Sequence, residues 1–281
     1  NLILYIIILS SSYTLAQELE QKVVSSKTVE DAHFDFLKEL HNEESKNSGK
    51  ILGRLGLGSK GLSEFKRKEY NLYLDSYFPN ASSDRVQMFL FELNIKEEKW
   101  AEAEMNLLKF VYLFPQSPIY KKVLDRGYTL LQDEKYYSSY RDKLIKILSE
   151  APTSGKIYKR YYQLLSNVHG LKDDKLTELF EYECWNFLQL YPNRSQCSMV
   201  MMWLAQLDQE KNNFHPAILV YEKLMNLYPS SKDYSDALYQ VARLQQEELN
   251  EYNEATVSFR KFLKMFPKHK YVAYAQYRIA S

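Results

Sequence analysis

FHPAILVYEKLMNLYPSSKDYSDALYQVA, residues 214–242, and YNEATVSFRKFLKMFPKHKYVAYAQYRIA, residues 252–280, carry one pattern twice, offset by 38 residues. Phe214 falls on Tyr252, Ala217 on Ala255, Tyr221 on Phe259 and Lys223 on Lys261. Past the proline, Lys232 falls on Lys270, Ala237 on Ala275, Tyr239 on Tyr277 and Ala242 on Ala280. Chance does not keep small residues on small ones and rings on rings so consistently, so the stretches are copies of one structural unit. Apolar residues recur three and four apart on the way to each aromatic–proline pair, the period of an amphipathic helix. A proline there cannot continue the helix, so each stretch reads as helix, turn, helix.

The same pair marks the chain upstream. Phe78-Pro79, Phe114-Pro115 and Tyr191-Pro192 precede Tyr228-Pro229 and Phe266-Pro267, and Ala151-Pro152 fills the gap. Successive prolines lie 36, 37, 40, 37 and 38 residues apart. Ser82, Ser117, Ser154, Ser195 and Ser231 follow them, a residue type suited to capping the next helix. Repeats are therefore expected to end near residues 79, 115, 152, 192, 229 and 267. Such units bury apolar surface only against their neighbours. Residues 17–281 are accordingly expected to form one all-α solenoid of about six and a half repeats.

A unit of this length with a closing proline resembles the tetratricopeptide repeat. Ala103, Ala217 and Ala255 each stand twelve residues before their proline, matching the family's small residue where the second helix crosses the first closely. Tyr221 and Phe259 supply the aromatic expected four residues later, and Leu107 holds that place in the second unit. Tyr140 and Phe180 occupy the small position in the middle of the chain, where the units are expected to splay. Through YEKLMNLYPSSKDYSDALYQVA and FRKFLKMFPKHKYVAYAQYRIA, residues 217–281 also resemble the outer-membrane assembly lipoproteins of the BamD type and related periplasmic repeat proteins. The resemblance implies a right-handed superhelical solenoid whose first helices line a concave surface. On it, Met199, Met202, Gln206, Tyr239, Arg243 and Tyr277 would face a protein partner. It further implies a scaffold without catalysis or cofactor, bound to envelope or outer-membrane assembly proteins.

Composition narrows the alternatives. The chain has 281 residues, 45% apolar and 26% charged, ordinary values for a globular protein. Lys and Arg number 37 against 36 Asp and Glu, which gives no basic footprint for nucleic acid. The 24 tyrosines are the outlier. Tyr158, Tyr161 and Tyr162, like Tyr271, Tyr274 and Tyr277, recur at helical spacing and are expected mostly to pack between helices.

The first sixteen residues carry no charge, and Leu2 to Leu9 reads LILYIIIL. That run is too short to span a bilayer but suits the apolar part of a secretory signal, with Thr14 and Ala16 as small residues before Gln17. Residues 1–16 are expected to be an N-terminally truncated signal, and the mature protein to be periplasmic or associated with the outer membrane. No Cys follows the run to carry a lipid. Cys184 and Cys197 are too few for a disulfide framework and are expected to be buried free thiols.

Other motifs fail on their spacing. GKILGRLGLGSKG, residues 49–61, nearly fits a phosphate loop, but Ser59 intrudes between Gly58 and Lys60, and no Ser or Thr follows the Lys. It is expected to be a flexible connection or a loop that contacts a partner. His33, His41, His169, His215 and His269 share no metal-ligand spacing. Asp173 and Asp174 suit a helix start, and Asn80-Ala-Ser82 and Asn193-Arg-Ser195 read as turns rather than glycosylation sites. The expected function is a non-enzymatic exported adaptor. Two other roles fit such helices: the arm of a cell-wall hydrolase whose catalytic domain follows residue 281, or a structural part of an envelope-spanning secretion or motility machine.

Overall fold

In a computed structural model the described residues, 28–42, 59–133, 141–171 and 174–280, form thirteen helices and their turns, with no strand among them. In chain order they are α1 (Val29–Asn42), α2 (Ser59–Tyr77), α3 (Ser83–Lys96), α4 (Trp100–Leu113), α5 (Tyr120–Gln132), α6 (Arg141–Ser149) and α7 (Ile157–His169). They continue with α8 (Asp174–Leu190), α9 (Cys197–Glu210), α10 (Phe214–Leu227), α11 (Tyr234–Glu247), α12 (Tyr252–Met265) and α13 (Val272–Ala280). Residues 1–16, residues 49–58 of the glycine-rich run, Tyr140 and Asp173 lie outside the described residues. Ser59 to Gly61, the end of that run, begin α2. The six regularly spaced prolines follow α2, α4, α6, α8, α10 and α12, so each closes a pair of helices.

The turn inside a pair has its own rule. Glu98, Asn212 and Asn250 have φ of 56°, 59° and 57°, and each lies seventeen residues before its proline. This left-handed residue ends the first helix and lets the next amide bond back into it: Lys99 N–H donates to Asn94 C=O at 2.9 Å, and Asn213 N–H to Asp208 C=O at 2.8 Å. The serines after the prolines work differently from the expectation. Ser117 and Ser231 accept hydrogen bonds from the amides two residues on, Ile119 at 3.2 Å and Asp233 at 3.0 Å. At equivalent points Asn80 Oδ1 and His269 Nδ1 accept from the amides of Ser82 and Tyr271. These side chains fix the proline turn one step before the helix starts. The residues at the helix starts themselves, Ser82, Lys156, Gln196 and Asp233, make no side-chain cap bond.

The chain divides into two compact units, one of residues up to 110 with 116–127, the other of 111–115 with 128–281. In the first, Phe34, Leu37 and Leu40 of α1 meet Tyr70, Tyr73 and Leu74 of α2 and Val86, Phe89 and Leu90 of α3. Thr28 and Asp31 cap α1 reciprocally, the Asp31 amide donating to Thr28 Oγ1 and the Thr28 amide to Asp31 Oδ2, each at 3.2 Å. His41, stacked on Phe89 at 4.0 Å, contacts the Tyr70 hydroxyl at 3.2 Å and Glu92 at 3.0 Å, and Glu92 also pairs with Arg126 at 3.0 Å.

The hydrogen bond from His41 holds the Glu92 carboxyl below its usual range, against the opposing effect of burial. A depressed folded-state pKa stabilises the native form above the ordinary carboxylate value, and that contribution is lost as pH falls through the lower, folded value. Glu92→Gln is therefore expected to cost about 1.5 kcal/mol near neutrality, with the gap to wild type closing in acid. Denaturant melts between pH 3 and 7 check it; a gap that does not change with pH refutes it.

The second unit stacks its repeats through α7–α13. Ala217 and Ala255 are fully buried, in one core cluster with Tyr221, Leu224, Phe259 and Phe262. Phe180, at the small position of an earlier repeat, instead joins a ring layer with His169 and Trp203, at 5.7 and 6.0 Å. Arg160 of α7 donates to the carbonyls of Tyr112 at 2.7 Å and Leu113 at 2.9 Å, satisfying the last turn of α4. Cys184 and Cys197 are free and buried, and burial pushes the Cys184 thiol well above its ordinary value.

Candidate functional site

Three first helices of the second unit, α9, α11 and α13, carry the six residues expected to meet a partner. Their placements differ. Met199, Gln206 and Arg243 are half-buried. Tyr277 is 65% exposed, whereas Tyr239, its equivalent one repeat earlier, is 5% exposed. Met202, at the same position one repeat before that, is also buried.

The cause is the neighbour. The Tyr239 ring stacks on Tyr271 at 4.2 Å and meets Phe262 at 5.6 Å and Phe259 at 6.1 Å, so it is roofed by α12 and the turn into α13. Burial, followed by the influence of Tyr274 and Glu247, pushes its hydroxyl up to about 12, and it stays neutral at physiological pH. Met202 and Tyr239, expected on an open face, are instead core residues. No helix follows Tyr277 among the described residues.

Around Arg243 a polar network ties the three helices together. Its Nη1 pairs with Glu247 at 3.1 Å, its Nη2 donates to Gln209 at 2.8 Å and its Nε to Gln240 at 2.9 Å. Gln209 in turn donates to the Tyr221 hydroxyl of α10 at 2.6 Å. On the other side Arg278 binds Glu247, donates from Nε to the Tyr274 hydroxyl at 2.8 Å, and lies over the Tyr274 ring. The Tyr274 hydroxyl also donates to Glu247 at 3.0 Å. Two guanidinium groups thus share one carboxylate, leaving a single net positive charge in a network that is already hydrogen-bonded. The sequence reading missed Gln209, Glu247, Tyr274 and Arg278. Only the four-residue spacings, Arg243 to Glu247 and Tyr274 to Arg278, could have pointed to them.

A surface arranged this way presents rings and amides held in place by neighbours, suited to a polypeptide more than to a small substrate. One cavity in the unit, bordered by Val168, His169, Phe180 and Leu207, holds about 110 Å³, below the roughly 300–1,000 Å³ of ordinary ligand pockets. Among the described residues no group of three or more His, Cys, Asp or Glu is placed to hold a metal ion, and no helix is long and apolar enough to cross a membrane.

Residues 199–231 and 236–269 match the family model of the tetratricopeptide repeat. The first match covers nearly all of α9 and α10, the second most of α11 and α12. These two pairs are what the repeat model matches, and the described residues are all helical, with neighbouring helices packed in a way consistent with such repeats. No curated protein matches the chain.

Proposed function

We propose that this tetratricopeptide-repeat protein is an exported adaptor that holds other proteins together in assembly of a bacterial cell envelope. The observation that carries the adaptor role is the first-helix face of α9, α11 and α13. Its polar groups are fixed in advance by the Arg243–Glu247–Arg278 network, and it offers the exposed Tyr277 ring on α13 and the half-buried Gln206 and Met199 on α9. Tyr and Arg dominate binding energy where such groups are prearranged. Export rests on the charge-free residues 1–16, and the envelope setting on the likeness of residues 217–281 to outer-membrane assembly proteins.

Tyr277→Ala is expected to weaken binding of a partner captured from envelope extracts by about tenfold or more, with the melting temperature unchanged. The mature N-terminus, read by mass spectrometry, is expected near Gln17. A chain that keeps residues 1–16 in the cytoplasm would refute export. Undiminished capture by the variant would refute this face as the binding site.

A further inference from the structure

The second helices of three consecutive repeats, α8, α10 and α12, turn two rows of apolar side chains to solvent. Ten residues before the closing proline stand Tyr182, Leu219 and Val257; two residues before it stand Leu190, Leu227 and Met265. All six are exposed, Leu219 by 64% and Val257 by 67%. A lone exposed apolar residue needs no explanation, but the same two positions in three successive repeats do. Trp185 adds an exposed indole to the first helix, and Lys223 of α10 lies over its ring at 5.6 Å, joining the two helices on this surface.

The residues between the rows supply the charge. On α8 the charged residue between them is Glu183, which is buried, on α10 Glu222 and Lys223 offset each other, and on α12 and its turn they read Arg260, Lys261, Lys264 and Lys268. All four of these cations are exposed, and none pairs with a described carboxylate. Val257, Arg260, Lys261, Lys264 and Met265 follow the three-and-four spacing of a single helix face, on which the exposed Glu254, one turn before Val257, is outnumbered by the cations.

We propose that this face of α8, α10 and α12 rests on an anionic lipid surface. The apolar rows enter the boundary between headgroups and acyl chains, while the α12 cations meet lipid phosphates. Long basic side chains suit that depth, because their stems lie along apolar surface and their heads stay in water. Tyr182 and Trp185 are the aromatic types that settle at such interfaces. The chemistry favours lipid over an acidic polypeptide. These side chains stand out from the helices and none lines the cavity described above, whereas a bound polypeptide needs a groove with directed polar partners. The face is made of residues other than Tyr277 and the Arg243 network, so the proposal does not depend on the adaptor reading.

The test is sedimentation of the full chain with vesicles of equimolar phosphatidylcholine and phosphatidylglycerol, against vesicles of phosphatidylcholine alone. Binding is expected to the anionic vesicles, to weaken with salt, and to shift to the blue the Trp185 fluorescence read in a Trp100→Phe, Trp203→Phe background. The variant Arg260→Gln, Lys261→Gln, Lys264→Gln, Lys268→Gln is expected to lose at least about tenfold in partition, and Leu219→Ser with Val257→Ser a comparable amount. Both should melt like the wild type, because every changed residue is exposed; Tyr277→Ala should partition normally. Equal partition onto neutral vesicles, or variants that bind as the wild type does, would overturn the proposal. So would retention on polyglutamate without vesicle binding, which would reassign the face to an acidic protein.

Discussion

Replacing Tyr239 by Ala is expected to destabilise the second unit by about 3–5 kcal/mol, the cost of emptying a buried aromatic site. The ring is enclosed by Phe259 and Phe262 of α12 and by Tyr271 in the turn into α13. Its loss leaves a void that runs from the core of its own helix pair into the seam with the residues that follow Pro267. Because a repeat array holds together through nearest-neighbour contacts, the damage should spread to α12 and α13 and appear as faster amide exchange there. Tyr239→Phe keeps the ring and should cost far less. Tyr277→Ala, at the equivalent but exposed position, should stay within about 0.5 kcal/mol of wild type. Equal melting temperatures for Tyr239→Ala and Tyr277→Ala would mean that the seam does not pack as described.

The second large effect is expected from the opposite change. Ala217 and Ala255 are buried in the core of their helix pairs, with no exposed surface to yield. A phenyl ring there must displace neighbouring core side chains such as Tyr221 or Phe259. Overpacking of this kind costs roughly 1–3 kcal/mol. Ala217→Phe and Ala255→Phe should therefore each lower the midpoint of thermal unfolding clearly, whereas Lys223→Ala on the exposed side of α10 should not. Negligible losses at both alanines would place the helix crossing elsewhere.

Much of the fold was legible because its determinants are local. The regularly spaced prolines fall after α2, α4, α6, α8, α10 and α12, and Ala217 and Ala255, twelve residues upstream of theirs, are buried, since both signals act through residues next to them. The turns were read less well. Serine after proline looks like a helix cap, yet Ser117 and Ser231 bond two residues ahead and shape the turn. Sequence preference gives the residue type but not which of two neighbouring amides it serves.

The candidate site was legible only in part, for a different reason. Tyr239 and Tyr277 are equivalent by sequence, and periodicity gives them the same direction. Their exposure differs because α12 and the turn into α13 cover Tyr239, and no local pattern encodes that cover. The Arg243 network has the same character. Its links from Gln209 to Arg243 and from Glu247 to Arg278 join residues more than thirty positions apart. Charge patterning within a single helix shows one arm of such a network at a time. The middle of the chain adds a further case: Phe180 breaks the small-residue rule, and the cluster with His169 and Trp203 that accommodates it comes from flanking helices.

The chain's two thiols, one on α8 and one at the start of α9, turn this stacking into something that can be timed. Cys184 and Cys197 are fully enclosed, and only an ionised, solvent-reached sulfur reacts. A thiol reagent must therefore wait for the α8–α9 junction to breathe. When reclosing outpaces the reagent, the ratio of the observed rate to that of a free thiol is the equilibrium constant for that breathing. The protein thus carries a built-in clock in the middle of its repeat array. A partner that clamps the array slows the clock and one that pries it apart speeds it, with no label introduced.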